Sequence, residues 1–243
     1  MARNIFALCV IVWASMFAYT ATASSHPVVS VPDSVMRLTP EGEAYRLSIS
    51  GARVSIDNIN SGHNNRDIFW DKDSPDYTAS KQCMTWVSGS EFAQSGIVFR
   101  MQQQADGYNA IVFARNIFMN WYWVFAPKMF HTSSDYEHDW DSPAGVDLSS
   151  YLGASQVEQV WPLRVCASLD SDDVLRFAVA KASDRMPPLT NPGIQGGSWR
   201  LDMAEYYHAD EGRKGKNGIF AGHVPNGTSL VFDGIVLSGL SKD

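Results

Sequence analysis

One short segment of the chain, Asn120 to Phe125, is dense in aromatic residues. Its alternation places Trp121, Trp123 and Phe125 on one face of a predicted strand. A tryptophan ring can stack on the apolar face of a sugar while a neighbouring polar side chain fixes the hydroxyl groups. Core packing explains the same residues at least as well, because large aromatic side chains dominate sandwich interiors. The segment therefore supports two hypotheses, a glycan-binding surface containing Trp121 and Trp123 or a packed core.

Three arginines lie opposite apolar residues in their predicted strands. Arg100, Arg164 and Arg176 each alternate with apolar neighbours, so strand geometry turns each of them away from the apolar face. If their strands belong to one sheet, the three arginines line one surface. Arg100 and Arg164 are then candidates for holding a glycan beside the tryptophans. A solvated outer face is the alternative explanation of this pattern.

The densest acidic stretch runs from His131 to Asp141. It carries an acid at every second position, namely Asp135, Glu137, Asp139 and Asp141. Calcium loops converge oxygen ligands at this spacing, but they also need a glycine at the sharp turn and a closing glutamate. Both are missing at the required positions. We therefore predict a solvated acidic loop, with calcium binding as the alternative and no other cofactor.

The N-terminus has the organisation of a signal peptide. Arg3 precedes an uncharged apolar run from Ile5 to Phe17, and Ala21-Thr22-Ala23 has the form that signal peptidase cleaves. This run is shorter than the roughly 20 residues of a transmembrane helix. We therefore predict a signal peptide over residues 1–23. Residues 24–243 are predicted to form a single β-sandwich domain that is secreted and is not embedded in a membrane.

Two cysteines remain after such a cleavage, Cys83 and Cys166, because Cys9 lies in the apolar run. Both lie on predicted strands, and an exported protein meets an oxidising environment. A bond between them closes a loop of about 80 residues and contributes roughly 2–4 kcal/mol to stability. We predict one disulfide, with two unpaired buried thiols as the alternative.

The charge balance argues against one class of partner. The chain carries 19 basic and 26 acidic residues, which gives a formal net charge of −7. Proteins that bind nucleic acid rely on clustered Lys and Arg to neutralise phosphates. We therefore expect no nucleic-acid partner.

Most of the chain alternates apolar and polar residues with a period of two. Tyr45 to Ser50 and Arg53 to Asp57 are examples of about ten such short segments, which Gly, Asp, Asn or Pro delimit. Asp106-Gly107 and Leu169 to Asp173 have the composition of hairpin turns. The pattern predicts an all-β fold, an antiparallel sandwich or barrel.

Two connections between predicted strands are long, Pro127 to Tyr151 and Ala182 to Gly197. The second contains Pro187-Pro188 and further Pro and Gly residues, which exclude regular structure there. Long loops on a rigid sandwich are common positions for binding residues.

The order of these segments resembles that of a known class of proteins. The segments that carry the resemblance are Asp67 to Ser74, Cys83 to Trp86, Gly96 to Arg100, Asn120 to Trp123, Leu163 to Ala167 and the closing pair Gly215 to His223 and Ser229 to Asp233. Together they resemble the concanavalin A-like lectin/glucanase jelly rolls, and the arrangement is similar to secreted, mostly uncharacterised actinobacterial proteins of that class. The resemblance covers roughly Asp67 to Leu237. It implies an antiparallel two-sheet jelly-roll sandwich with a concave face that often receives glycans.

The resemblance transfers no catalytic residue. Retaining glycosidases of this class place two carboxylates on one strand in a Glu-x-Asp-x-x-Glu pattern, about 5–5.5 Å apart. That pattern is absent from this sequence, which disfavours a glucanase and leaves the enzyme question undecided.

Three functional hypotheses remain. The favoured one is a secreted, non-catalytic jelly-roll domain that binds glycan or cell-envelope polysaccharide. The second is a divergent glycosidase or polysaccharide lyase on the same scaffold, with carboxylates supplied by separate strands. The third is a structural or protein-interaction domain without a small ligand.

Overall fold

The structure is a computed structural model of the chain. It describes residues 25–27, 35–37, 45–58, 66–70, 74–90, 93–104, 107–116, 123–131, 136–139, 145–153, 160–203 and 213–240. All structural statements below concern these residues.

The described residues form two antiparallel sheets of eight strands each. Sheet 1 has the order β14-β13-β12-β6-β16-β4-β3, with β1 paired to β16, and sheet 2 has the order β10-β9-β8-β7-β15-β5-β2, with β11 paired to β9. The strands are β1 Ser25–Pro27, β2 Val35–Arg37, β3 Tyr45–Ser50, β4 Arg53–Asn58, β5 Arg66–Trp70, β6 Ser80–Ser88, β7 Gln94–Gln104, β8 Gly107–Asn116, β9 Val124–His131, β10 Tyr136–Asp139, β11 Val146–Asp147, β12 Leu163–Leu169, β13 Val174–Lys181, β14 Gly196–Arg200, β15 Lys216–Gly222 and β16 Ser229–Gly239. One helical turn, α1 (Ser149–Leu152), follows β11. In the part of the chain that the structure describes, no helix is long and apolar enough to cross a membrane.

Aromatic rings from both sheets fill the space between them. Phe113 and Phe125 of sheet 2 contact Phe177 of sheet 1, with ring centroids 4.7 and 5.7 Å apart. Trp86 of sheet 1 lies 5.9 Å from Phe125 in the same cluster. These residues alternate with others on the opposite face of each strand. The two sheets therefore pack face to face as a β-sandwich.

The two outer faces of the sandwich differ in character. The outer face of sheet 2 carries a second buried apolar cluster, formed by Ile68, Trp70, Val98, Met101, Ala110, Val112, Ala114 and Phe220. The outer face of sheet 1 is polar and partly accessible, with Lys81, Thr85, Arg164 and Arg176 among its residues. Polar ligands can therefore reach the sandwich most directly at sheet 1.

The predicted disulfide is confirmed. Cys83 on β6 and Cys166 on β12 face each other in the strand register and are bonded, with their Cα atoms 4.1 Å apart. Both lie on the outer face of sheet 1, as their alternation with Met84 and Val165 requires.

Reducing this disulfide is expected to lower the free energy of unfolding by about 2–4 kcal/mol, because the bond restricts a long loop of the unfolded chain. For a protein of this size that corresponds to a fall in melting temperature of roughly 4–16 °C. Thermal melts with and without reductant measure it, and the Cys83→Ser/Cys166→Ser double variant is the control that reductant should not change. Equal melting temperatures for oxidised and reduced wild type would contradict the expectation.

The region after residue 123 differs from the sequence-based prediction. The aromatic strand is β9, which runs from Val124 through Pro127 to His131, whereas the sequence predicts a strand that ends at Phe125. On one side of β9, β11 pairs with Val124 and Phe125 and β10 pairs with Lys128 to His131, so Pro127 lies in the gap between these two pairings, where its missing N–H is not needed. On the other side Pro127 is paired with Phe113 of β8. Among its described residues, the predicted long connection from 127 to 151 therefore contains the second half of β9, the short strands β10 and β11, and most of α1.

The predicted turn at Leu169–Asp173 and the β7–β8 hairpin agree with the structure, and the second long loop agrees up to residue 195, whereas Gly196 and Gly197 already belong to β14. β12 and β13 form a hairpin around Asp170–Asp173, and β7 and β8 form another in which Gln104 pairs with Gly107. Residues 182–195 connect β13 to β14 without a strand and end in a single 3₁₀ turn at Gly193–Gln195.

Candidate functional site

A cleft of about 780 Å³ opens at one end of the outer face of sheet 1. Three elements surround it: the ends of strands β6, β12, β13 and β16, the β12–β13 hairpin turn, and the loop 182–195. Its lining residues are Ala79, Lys81, Ser168, Asp170, Ser171, Asp172, Arg176, Pro188, Leu189, Thr190 and Leu240. We call this space the sheet 1 cleft.

The floor of the cleft is a row of polar side chains that crosses three strands. Ser168 on β12 pairs with Lys81 on β6 and with Arg176 on β13. Directly opposite residues in antiparallel strands have Cβ atoms about 4.5–5.5 Å apart and share a face. The register therefore brings an ammonium, a hydroxyl and a guanidinium into one line.

The Asp170 carboxylate organises the hairpin turn beside this row. Its Oδ1 accepts hydrogen bonds from the backbone N–H groups of Asp172 and Val174, both at 2.9 Å. Arg176 Nη1 donates to its Oδ2 at 2.5 Å. Burial alone would raise the pKa of Asp170, but the bonds from Arg176 and the two backbone amides outweigh it and hold the pKa below its usual range.

Arg100 supports the same turn from behind. It belongs to β7 of sheet 2, but its guanidinium crosses to sheet 1, where Nη1 lies 2.6 Å from Asp173 Oδ1 and Nη2 donates to the Asp170 carbonyl at 2.6 Å. Its Nε donates to the Thr78 carbonyl at 2.9 Å. The side chain is only 2% exposed. The cleft wall is therefore fixed by an ion pair that links the two sheets, in which the guanidinium is buried and the Asp173 carboxylate is partly buried.

The opposite wall is the loop 182–195, which presents Pro188, Leu189 and Thr190 to the cleft. Its base is anchored on α1, because Tyr151 Oη donates to Asp184 Oδ2 at 2.7 Å and accepts from Gln195 Nε2 at 3.0 Å. Burial and the neighbouring Asp184 carboxylate raise the pKa of Tyr151 above its usual range. The tyrosine thus stays protonated and keeps both ends of the loop in place.

An apolar strip completes the cleft. Pro188 and Leu189 come from the loop, and Leu240 comes from the end of β16, where its backbone N–H donates to the Ala79 carbonyl at 3.0 Å. The cleft therefore combines hydrogen-bonding groups on its floor with an apolar surface beside them.

The glycan-binding hypothesis needs its two tryptophans on an accessible surface, and Trp123 does not lie on one. Trp123 is 1% exposed and lies in the core between the sheets. For Trp123 the glycan-binding surface is therefore wrong, and the packed core is the correct alternative. The alternation in the sequence predicts that Trp123 and Phe125 share a face of the strand. It does not predict that this face is the one buried between the sheets. Trp121 lies outside the described residues.

The three arginines do not line one surface. Arg164 and Arg176 lie on the outer face of sheet 1, whereas Arg100 belongs to sheet 2 and is 1% exposed in its ion pair with Asp173. The first reason is that β7 belongs to the other sheet. The second is a register shift between Phe99 and Gln102, where Arg100 has a positive φ of 50° and leaves the alternation of its strand. Arg164 is half-buried, and its Nη2 donates to the Lys181 carbonyl at 3.4 Å.

The acidic stretch is not a loop throughout. Tyr136–Asp139 forms β10, which pairs with β9, and the two-residue spacing of the acids is also the period of a strand. Asp135 and Asp141 lie outside the described residues, as do the side chains of Glu137 and Asp139. Among the residues that the structure describes, no cluster of His, Cys, Asp and Glu could hold a metal ion.

Sequence reasoning missed Lys81, Ser168 and Asp170 as candidates, although two signals pointed near them. Leu169–Asp173 is a turn and 182–195 is a Pro-rich loop, and these two segments form opposite walls of the cleft. The position of Lys81 beside Ser168 depends on the register of β12 with β6, which no local pattern contains.

Comparison with solved structures shows the fold class. A Bacillus subtilis protein of unknown function with a galectin-like fold is 9% identical, with 88% of this chain and 94% of that chain covered and a TM-score of 0.50. The carbohydrate-binding module CBM66 from Bacillus subtilis is 8% identical, covering 85% and 96%, with a TM-score of 0.45. A legume lectin-like domain from Entamoeba histolytica is 10% identical, covering 86% and 91%, with a TM-score of 0.40.

No protein-family model and no curated protein sequence matches the chain. The two sheets and the likeness to the galectin-like protein show an all-β, antiparallel two-sheet sandwich with a jelly-roll, concanavalin A-like fold, as the sequence resemblance implies. At such low identity the likeness concerns the fold alone.

Proposed function

We propose that this protein is a secreted, non-catalytic jelly-roll domain that binds glycan, and that the sheet 1 cleft is its binding site. The observation that carries the proposal is the cleft itself. It places the polar row Lys81–Ser168–Arg176 beside the apolar strip Pro188–Leu189–Leu240 on a rigid sheet.

This combination suits the surface of a sugar. A pyranose ring has hydroxyl groups around its rim and a C–H face that prefers apolar contact, and a binding site needs groups for both. Lys81, Arg176 and the hydroxyls of Ser168 and Thr190 supply hydrogen bonds, while the apolar strip supplies the contact surface. Trp123, which was proposed from the sequence, is buried in the core and does not line this cleft.

The cleft is also preorganised, which reduces the entropy lost on binding. Asp170 and Arg100 fix the hairpin wall, and Tyr151 fixes the loop wall through hydrogen bonds of 2.6–3.0 Å. A ligand therefore meets side chains that are already held in position.

The state of Asp170 supports binding without catalysis. A glycosidase needs one carboxyl group free to act as acid and a second as nucleophile or base. Both oxygens of Asp170 accept hydrogen bonds within the turn, and its pKa is held below its usual range. It is therefore a structural anion and is poorly suited to donate a proton. Export is supported by the signal-peptide pattern of residues 1–23 and by the disulfide.

Filling the cleft should abolish glycan binding. Ser168→Phe puts a ring between Lys81 and Arg176, so the mature protein carrying it is expected to lose the signals that wild type gives on a glycan array, with and without calcium. Ser55→Phe is the matched control, because Ser55 lies on the outer face of sheet 1 in β4, away from the cleft.

Thermal melts of both variants establish that they are folded. Array signals that persist in folded Ser168→Phe would move the site elsewhere. A wild-type protein that binds no glycan on the array would overturn the proposed function.

A further inference from the structure

We propose that the sheet 1 cleft selects an acidic saccharide and binds its carboxylate between Lys81 and Arg176. This inference rests on the proposed function and adds the chemical class of the ligand.

The first argument is the position of the two cations. Lys81 on β6 and Arg176 on β13 flank Ser168 on β12 in a straight cross-strand row. Neighbouring strands are about 4.7–4.9 Å apart, so the two side chains start roughly 10 Å from each other. Both side chains are long enough to converge on one anion above Ser168, whose hydroxyl adds a third donor.

The second argument is which charges are already neutralised. Asp173 is paired with Arg100, and Asp170 is paired with Arg176 through a single guanidinium nitrogen. A guanidinium has five N–H donors, so most of those on Arg176 are left for a ligand. Within the part of the chain that the structure describes, Lys81 forms no ion pair.

The remaining carboxylate of the cleft, Asp172, is exposed at the rim. Water and salt screen an exposed charge, and a carboxylate at the rim can accept hydrogen bonds from sugar hydroxyls. The floor, in which Lys81 and Arg176 are half-buried and Ser168 is buried, is thus rich in donors, and the rim supplies an acceptor. A ring that carries one carboxylate and several hydroxyls matches this division.

The third argument compares the net charge of the protein with the local charge of the cleft floor, where Lys81 and Arg176 lie. The chain has a formal net charge of −7, so its overall field repels polyanions. An acidic saccharide that binds must therefore do so through local contacts, and charge-assisted hydrogen bonds from Lys and Arg to a carboxylate are strong ones.

The test compares acidic sugars with neutral versions of the same rings. Oligogalacturonate, hyaluronan oligosaccharides and sialyllactose, each beside its methyl ester, are titrated into the mature protein by calorimetry. At least one acid is expected to bind about tenfold or more tightly than its ester, with an affinity that falls as NaCl rises. A dextran sulfate fragment reports whether a sulfate is bound instead.

Lys81→Met keeps the apolar part of the side chain and removes the charge. It is expected to weaken binding of the acid by about tenfold or more and to leave the ester unchanged. Lys214→Met is the control, because Lys214 is exposed and lies outside the cleft. Circular dichroism melts show whether the variants are folded.

Three results would overturn the inference. They are equal affinity for acids and esters, an affinity that Lys81→Met leaves unchanged, and binding of dextran sulfate alone. If neutral glycans bind and Ser168→Phe abolishes that binding, the proposed function stands while the acidic ligand class is wrong.

Discussion

Arg100→Met is expected to destabilise the protein by about 3–5 kcal/mol, because it removes one partner of a buried ion pair and leaves the other charge uncompensated. Asp173 then loses the guanidinium at 2.6 Å, and the carbonyls of Thr78 and Asp170 lose their donors. Methionine fills much of the space of the arginine stem, so the loss reports on the polar contacts. The corresponding fall in melting temperature is roughly 6–20 °C.

Arg53→Met is the matched control for Arg100→Met. Arg53 also pairs with an aspartate, Asp233, at 2.7 Å, but the two side chains are 55% and 35% exposed. Exposed pairs contribute little to stability because water screens them. Denaturant unfolding of both variants makes the comparison. If the free energy of unfolding of Arg100→Met is no lower than that of Arg53→Met, the ion pair between the sheets does not stabilise the protein.

Trp123→Ala is also expected to cost about 3–5 kcal/mol, since truncation of a buried tryptophan leaves a large cavity. The indole is 1% exposed, lies edge-on to Trp161 at 6.0 Å between ring centroids, and has the Arg115 guanidinium carbon 5.7 Å from its ring centroid. All of these contacts are lost in the variant.

Ile194→Ala serves as the reference for a large apolar side chain that forms no core. Ile194 is 78% exposed, so its truncation is expected to change stability by less than about 0.5 kcal/mol. Thermal and urea unfolding distinguish the two positions. A Trp123→Ala variant as stable as Ile194→Ala would place the indole at the surface and restore it as a candidate for sugar binding.

Local patterns predicted the elements of this fold better than they predicted its site. The two-residue period identified most strands, and the positions of Cys83 and Cys166 on strands led to the disulfide. Parity also assigned Trp123 and Phe125 to one face. Parity alone does not distinguish a face that meets solvent from one that meets a second sheet, and this ambiguity produced the error at Trp123.

Arg100 shows a second limit of sequence reasoning. Its alternation with Phe99 and Met101 placed it on a surface, but the strand is irregular there and Arg100 adopts a positive φ. Only the neighbouring strands reveal such an irregularity, because it consists of an extra residue in the pairing. The cleft depends on pairing to an even greater degree. Ser168 and Arg176 belong to one hairpin, but Lys81 is far from both in sequence and becomes their neighbour through the strand order β6-β12-β13.

The disulfide has a consequence for how that strand order is reached. Cys83 and Cys166 are directly opposite each other, and the same register aligns Lys81 with Ser168 two residues further along. A slip of one residue between β6 and β12 would turn one cysteine to the opposite face, where it could not meet its partner. The covalent bond is therefore compatible with this register and not with one shifted by a single residue. It acts as a covalent lock on the pairing of β6 with β12, and the locked register is the one that places Lys81 beside Ser168 in the floor of the cleft.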